Sequence, residues 1–333
     1  VPRVSILLPA FEASTTLDAA LRSVARQTLH DFECIVVDDG SSDATRSLAL
    51  GWAARDPRFR VLAEPHRGIV GALGAGLEAC RGAIVARMDA DDLMHRERLA
   101  VQMSALDADP GLAGVGCHVR LFPRSALSEG MRDYERWLNG IDSPDRVRRD
   151  AFVECPIAHP TLAIRTEVLR AAGYRARGWP EDWDLLLRLL AAGHELGVVP
   201  RRLLAWRDRP GRETRVAAAC RPERFPPLKA AFLAEGLLAG GDEYVLWGFG
   251  HTGRALHRAL LALGKRPIAI VELHPGRLGN SIHGAPVVPP EAIPDLPRRP
   301  IVASVAGEKP RRLIREALDG LGLRELQDYV CAA

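Results

Sequence analysis

The chain opens on a short, mostly apolar run, Val4 to Leu8, which reads as a buried strand. Between Leu17 and Gln27 the apolar positions shift to helical spacing, at Leu17, Ala20, Leu21 and Val24, and Glu33 to Val37 reads as a second strand that ends at Asp38. The alternation continues. Asp43 is placed to cap a helix reaching about Arg55, Arg60 to Ala63 reads as a strand, Ile69 to Ala79 as a helix and Ala83 to Met88 as a strand. Repeated βα units predict a parallel sheet covered by helices on both faces, with ligands gathering at the carboxyl ends of its strands. Those ends carry Pro9-Ala10-Phe11-Glu12, Asp38-Asp39, Glu64 and Asp89-Ala90-Asp91-Asp92, four loops on one rim, most of them acidic.

Further on, Leu99 to Ala108 is helical, Ala113 to Leu121 is a strand, and Pro123 to Arg149 shows no clear period, which suits mobile or acceptor-facing structure. A strand at Thr161 to Ile164, a helix at Thr166 to Ala172 and a helix from Trp183 to Ala192, introduced by Pro180-Glu181-Asp182, follow. The prolines and arginines of Pro210 to Pro227 mark a boundary, giving a first domain over 1–215, a linker over 216–240 and a second domain over 241–333. A fresh βαβ pattern begins at Tyr244 to Trp247. Its turn, Gly248-x-Gly250-x-x-Gly253, has the spacing of a dinucleotide fingerprint, with Glu272 about where a ribose-binding acid would stand.

Composition narrows the class. A chain of 333 residues, 47% hydrophobic and 26% charged, suits about two globular domains. Its 45 basic and 42 acidic residues are dispersed, so no basic block is available to follow a nucleic-acid backbone. The six cysteines show no CxxC spacing, which fits buried free thiols in a reducing compartment. With no leader pattern and no run of about eighteen apolar residues, a cytoplasmic protein is expected.

Asp89-Ala90-Asp91-Asp92 gathers several carboxylates in one turn after an apolar strand. Hard cations such as Mg²⁺ and Mn²⁺ take oxygen ligands and bridge protein carboxylates to substrate phosphates, which then leave more readily. The alternative is a solvated acidic turn capping the helix that begins near His95. On the same rim Asp43 is assigned to helix capping, whereas Asp39 is free to accept hydrogen bonds from a base or ribose.

Taken in order, the runs VSILLPAFEASTTLDAALRSVARQTLHDFECIVVDDGSSDAT, EPHRGIVGALGAGLEACRGAIVARMDADD, HPTLAIRTEVLRAAGY and PEDWDLLLRL resemble the nucleotide-sugar glycosyltransferases called family two, over roughly residues 1 to 207. The resemblance implies an α/β protein of GT-A type, its mixed or parallel sheet sandwiched by helices. It also implies that Pro9, Ala10, Phe11 and Glu12 line the nucleotide base, that Asp39 bonds the base edge, and that Arg67 lies near the nucleotide. Asp89 and Asp91 would be the DxD pair holding Mn²⁺ or Mg²⁺, Asp91 in direct contact, with Asp92 supporting the turn. Glu181-Asp182 matches the acceptor-side ED motif, with Asp182 as general base. An inverting transfer needs a base opposite the departing nucleotide, and a helix N-terminus can position one. Ordinary first-turn acids balancing the helix dipole are the alternative reading of this pair.

Some positions depart from the family pattern. Phe11-Glu12 stands where tyrosine and asparagine are frequent, and Gly74 where asparagine is usual, which puts the identity of the donor in question. His159 and Arg207 fall where the family carries residues near the site, His159 equally suited to packing and Arg207 to pairing with diphosphate or decorating the surface. The later run GNSIHGAPVVPPEAIPDL resembles the small Rossmann-like α/β domains at the front of some sugar acyltransferases, so the C-terminal module is expected to be half-sized, its role architectural or cofactor-binding.

The reading is a metal-dependent inverting glycosyltransferase, hexosyltransferase-like. It would move a sugar from a nucleotide-diphospho-sugar, UDP- or dTDP-sugar favoured, to a saccharide or lipid-linked saccharide in polysaccharide or glycoconjugate synthesis. Peripheral membrane association and a homo-oligomer are compatible with it. The rivals are a non-catalytic nucleotide-sugar-binding scaffold and a sugar nucleotidyltransferase, although PAFEASTT lacks the latter's glycine-rich, lysine-bearing phosphate loop.

Overall fold

The structure, a computed structural model, describes residues 1–209 and 217–333. The chain forms two compact units. The first takes Val1–Val147, Pro156–Arg177 and the described residues from Glu181 to 209; the second takes Arg148–Cys155, Gly178–Pro180 and the described residues from 217 to Ala333. The boundary expected at 215/216 lies outside the described residues.

The first unit is built on strands β1 (Val4–Ala10), β2 (Phe32–Asp39), β3 (Phe59–Glu64), β4 (Ile84–Arg87), β5 (Leu93–Met94), β6 (Leu112–Phe122), β7 (Ala163–Arg165) and β8 (Glu195–Arg207). They form one sheet of order β3-β2-β1-β4-β7-β6-β8-β5. β1 pairs parallel with β2 and β4, and β2 with β3, so the early βα repeats do give parallel neighbours. β7 then runs antiparallel to both β4 and β6, which makes the whole sheet mixed. β1 and β2 are buried along their full length, as strands with helices on both faces must be.

Helices α1 (Leu17–Ala25), α2 (Thr45–Arg55), α3 (Gly68–Ala79) and α4 (Arg98–Ala108) connect the early strands. α1 buries Leu17, Ala20, Leu21 and Val24, the four positions its periodicity marks. α3 lies close against the sheet through Gly76, where a Cβ would stand 2.2 Å from Leu7 Cδ1. Only a residue without a side chain permits that approach.

Two stretches of the first two hundred or so residues differ from the sequence reading. Pro123 to Arg149 is not patternless: it holds α5 (Glu129–Leu138) and α6 (Pro144–Asp150). Ser128 caps α5 by accepting from the Met131 N–H, and Leu138 is buried while Met131, Tyr134 and Trp137 pack on the core. The large β8 was also unread, because Pro200, Arg201 and Arg202 interrupt its apolar pattern and remain exposed. Helices α7 (Thr166–Ala172) and α8 (Glu181–Ala191) complete the unit.

The second unit contains α9 (Phe225–Glu235), α10 (His251–Ala262) and α11 (Glu308–Gly320) with strands β9 (Glu243–Trp247), β10 (Arg266–Val271), β11 (Ser281–Ile282), β12 (Ala285–Val288), β13 (Ile301–Ala303) and β14 (Tyr329–Cys331). Its sheet has the order β11-β12-β10-β9-β13-β14, parallel except for the β11–β12 hairpin. The stretch expected as a linker, 216–240, holds α9, whose Leu228, Ala230 and Leu233 are buried. Pro226 and Pro227 look like breakers in the sequence, but in a first helical turn the missing N–H forfeits no hydrogen bond. No helix among the described residues is long and apolar enough to cross a membrane.

Candidate active site

The carboxyl ends of β1, β2 and β4 carry the acidic loops, and the parallel register places Ala10 beside Asp38 and Leu7 beside Arg87. Phe11 is 46% exposed and stacks on His66 with ring centroids 4.1 Å apart, so an aromatic surface is on offer at this rim. Glu12 sits at φ +47° and turns its carboxylate to the neighbouring loop, where Oε1 accepts from the Ser42 N–H at 2.7 Å and the Ser42 hydroxyl at 2.9 Å. Asp43 joins the same two loops, accepting from the N–H groups of Ser14 and Thr45. It therefore braces the two loops and accepts from the first N–H of α2, but the N-cap position expected for it belongs to Ala44, because the helix starts one residue later.

Asp38 is fully buried, with Oδ2 on Arg46 at 2.8 Å and Oδ1 on the Ser41 N–H. Asp39 accepts from the Arg67 N–H at 2.8 Å and meets His66 Nδ1 at 2.9 Å. Gly40 makes this closeness possible, because at φ +76° a Cβ would stand 2.7 Å from the His66 backbone nitrogen. The Arg67 guanidinium itself is exposed, 3.6 Å from Glu64. Gly74, the site of the second family departure, has open space around it.

After β4 the carboxylates of Asp89, Asp91 and Asp92 each bring one oxygen within 4.8 Å of the others. Three converging carboxylate oxygens are the donor set a hard divalent cation takes. Asp92 is fully buried and accepts from the Arg207 N–H at 2.7 Å. Arg207 Nε donates to the Asp91 carbonyl at 2.7 Å and its guanidinium lies 4.4 Å over the Phe122 ring, so Arg207 anchors this turn. Arg209 pairs with Asp91 Oδ2 at 3.0 Å.

Asp182 lies at the head of α8, with the Trp183 N–H on its Oδ1 at 2.7 Å. Ile157, Leu162, Leu185 and Leu186 line the narrow cavity it shares with His159. Burial, together with the adjacent Glu181 charge, pushes its carboxyl up to about 6. Glu181 moves the other way: burial opposes its charge, but His159 Nδ1 at 3.5 Å and the more distant Arg87 charge outweigh that and hold it below its usual range. His159 reaches Tyr174 through Nε2 at 3.2 Å, which gives the histidine a place in this network.

Four participants were not singled out in the reading of the chain. They are His66 beside Arg67, Arg87 at the end of β4, Tyr174 after α7 and Arg209 after β8. Arg87 alone had a usable clue, a cation in the otherwise apolar run AIVARM.

In the second unit Gly248 at φ +94° and Gly253, whose Cβ would lie 2.0 Å from the Gly248 carbonyl oxygen, form a tight strand-to-helix turn. Glu272 faces that turn, accepting from the Phe249 N–H at 2.9 Å and pairing with Arg277 at 2.8 Å. Its carboxylate is engaged by the protein where a ribose contact was expected.

The family model described as Glycosyl transferase family 2 matches residues 5–171. The amylovoran biosynthesis glycosyltransferase AmsE of Erwinia amylovora is 31% identical over 191 residues, 57% of this chain and 69% of that protein. The Escherichia coli protein WfgD, a UDP-Glc:alpha-D-GlcNAc-diphosphoundecaprenol beta-1,3-glucosyltransferase, is 35% identical over 104 residues, 31% of this chain and 40% of its own length. Among solved structures, S. aureus TarS 1-349 in complex with UDP-GlcNAc aligns with a TM-score of 0.54 at 16% identity, over 78% of this chain and 71% of that one. The mannosyltransferase PcManGT of Pyrobaculum calidifontis, in complex with GDP-Man and Mn²⁺, aligns with a TM-score of 0.53 at 21% identity, over 79% and 69%. These likenesses show the fold, of GT-A type.

Proposed function

The chain belongs to glycosyl transferase family 2, and from that premise we propose that it is an inverting transferase that moves a sugar from a nucleotide-diphospho-sugar to a hydroxyl of a saccharide or lipid-linked saccharide. A polysaccharide-assembly role is favoured by relatives such as AmsE, and of the UDP- or dTDP-sugar donors we prefer, the UDP-sugar has the support of WfgD, whose name carries UDP-Glc. The observation that carries the reading is a division of labour among acids within one unit. Asp89, Asp91 and Asp92 converge, while Asp182 stands in a largely apolar pocket with its carboxyl pushed up to about 6.

In this reading Asp89 and Asp91 hold Mn²⁺ or Mg²⁺, which when bound offsets the charge developing on the departing diphosphate. Phe11 offers its exposed face to the base, Pro9 and Ala10 shape the floor beneath it, Glu12 braces the loop, and Asp39 accepts from the base edge once His66 yields. Arg67 lies beside the nucleotide. Asp182 takes the acceptor hydroxyl proton as that oxygen bonds the anomeric carbon and the bond to diphosphate breaks. The near-neutral value matches this task, because the base must be ionised to act yet basic enough to accept a proton. The free cysteines, all buried except the half-buried Cys220, favour a reducing, cytoplasmic setting.

Calorimetric titration with UDP, GDP and dTDP, with and without Mn²⁺, on the protein and on Asp91→Ala tests the donor half. Metal-dependent binding of one nucleotide, lost in the variant, is expected. Equal binding without metal would remove the assignment of Asp89 and Asp91, and no nucleotide binding at all would favour a scaffold role.

A further inference from the structure

We propose that His159 is a positioning residue for Asp182: bridging the Tyr174 hydroxyl and the Glu181 carboxylate, it commits Glu181 and leaves Asp182 as the acid turned to the pocket. This rests on the assignment of Asp182 as base made above. His159 is buried at the head of a single 3-10 turn, His159–Thr161, where the Thr161 N–H and hydroxyl both donate to the Ala158 carbonyl, at 2.8 and 2.7 Å. Its Nδ1 lies 3.5 Å from Glu181 Oε1 and its Nε2 lies 3.2 Å from the Tyr174 hydroxyl.

These two contacts dictate which nitrogen carries the proton. An ionised carboxylate only accepts, so a neutral His159 must donate from Nδ1, and its Nε2 then accepts from the Tyr174 hydroxyl. Burial pushes the Tyr174 phenol up, so that donor keeps its proton. The chain leading into Tyr174 is held from α8, where Arg188 donates to the carbonyls of Ala172 and Gly173 at 2.6 and 2.7 Å while paired with Asp184 at 2.7 Å. The contacts therefore close a ring: from α8 through Arg188 to the end of α7, through Tyr174 to His159, and back to Glu181 at the head of α8. Adjacent acids without such an anchor would compete for one proton as a pair. Here His159 holds Glu181 as the anion, and the proton at issue is the one on Asp182, which accepts from the Trp183 N–H and faces leucines.

The test reads the histidine directly. In ¹⁵N-histidine-labelled protein at mildly alkaline pH, long-range ¹H–¹⁵N spectra separate the two neutral tautomers, and the His159 signals are assigned by their loss in His159→Asn. Wild type should show the Nδ1–H form alone. Tyr174→Phe removes only the hydroxyl, so the Nε2–H form should appear and turnover should fall about tenfold, the scale of one lost hydrogen bond, with nucleotide affinity and thermal midpoint near wild type. His159→Asn places an amide N–H where Nδ1 stands and should keep several-fold more turnover than His159→Ala. A wild type in the Nε2–H form, or a Tyr174→Phe protein with either the wild-type tautomer or wild-type turnover, overturns the proposal while the base assignment stands. Equal losses in His159→Asn and His159→Ala do the same, and they decide the matter should Tyr174→Phe fail to fold. A wild type that transfers no sugar, or full transfer by Asp182→Asn, overturns the base assignment and the proposal with it, whatever the tautomer.

Discussion

Asp38-Asp39 and Glu181-Asp182 are both adjacent acidic pairs at the edge of a regular element, yet their surroundings differ. In the first pair each carboxylate has partners of its own: Asp38 has Arg46 and the Ser41 N–H, Asp39 has the Arg67 N–H and His66. In the second, Glu181 takes the nearby histidine, and Asp182 faces leucines and accepts from the Trp183 N–H. Two acids side by side do not share a role. What separates them is how many donors each finds before burial acts on its charge.

The comparison can be broken most sharply at Asp182. Asp182→Asn should lower the turnover of sugar transfer by about a thousandfold, within the range for losing a general base, with nucleotide binding retained. Turnover measured beside calorimetric affinity checks this, and a variant retaining full transfer ends the assignment. At the other pair, Asp38→Asn should leave the Arg46 guanidinium without its buried anion and lower stability by about 2 kcal/mol, the scale of a charged hydrogen bond, as read by urea unfolding.

The pH dependence sharpens the contrast. Asp182 must be ionised, so transfer should rise as pH climbs through about 6. Glu181→Gln removes the neighbouring charge that helps raise Asp182, and the acid limb of the rate profile should move to lower pH. The smallest effect concerns stability. Because folding raises the Asp182 pKa from 3.8 to about 6, the folded state binds its proton more tightly than the unfolded chain does, and stability from this group is lost as pH rises through that window. Asp182→Asn should therefore melt slightly higher than wild type above pH 6, with the difference gone below about pH 4.

Legibility in the sequence followed the range of the interactions. α1 could be read because its buried positions recur at helical spacing within nine residues. α5 was missed because EGMRDYERWL surrounds its few apolar contacts with charge, and the burial of Glu135 depends on a partner outside the helix, the Leu121 N–H on β6. β8 was missed because an exposed PRR stands in its middle, tolerated there because its flanks pair with β6. The acidic turns and the acids heading α8 were visible as local clusters, but their inequality was not.

By itself the sequence determined the order of βα units, the apolar faces that bury, and the placing of carboxylates at strand ends and at a helix head, since these depend on periodicity and short-range turn chemistry. Tertiary structure alone decided that His66 would stand on Asp39, that Arg209 would meet Asp91, and that Tyr174 would reach His159. Charge and burial are summed over everything within a few ångströms, and at Asp182 the adjacent Glu181 and the leucines of its own helix act together with Ile157, His159 and Leu162, which only folding brings to it.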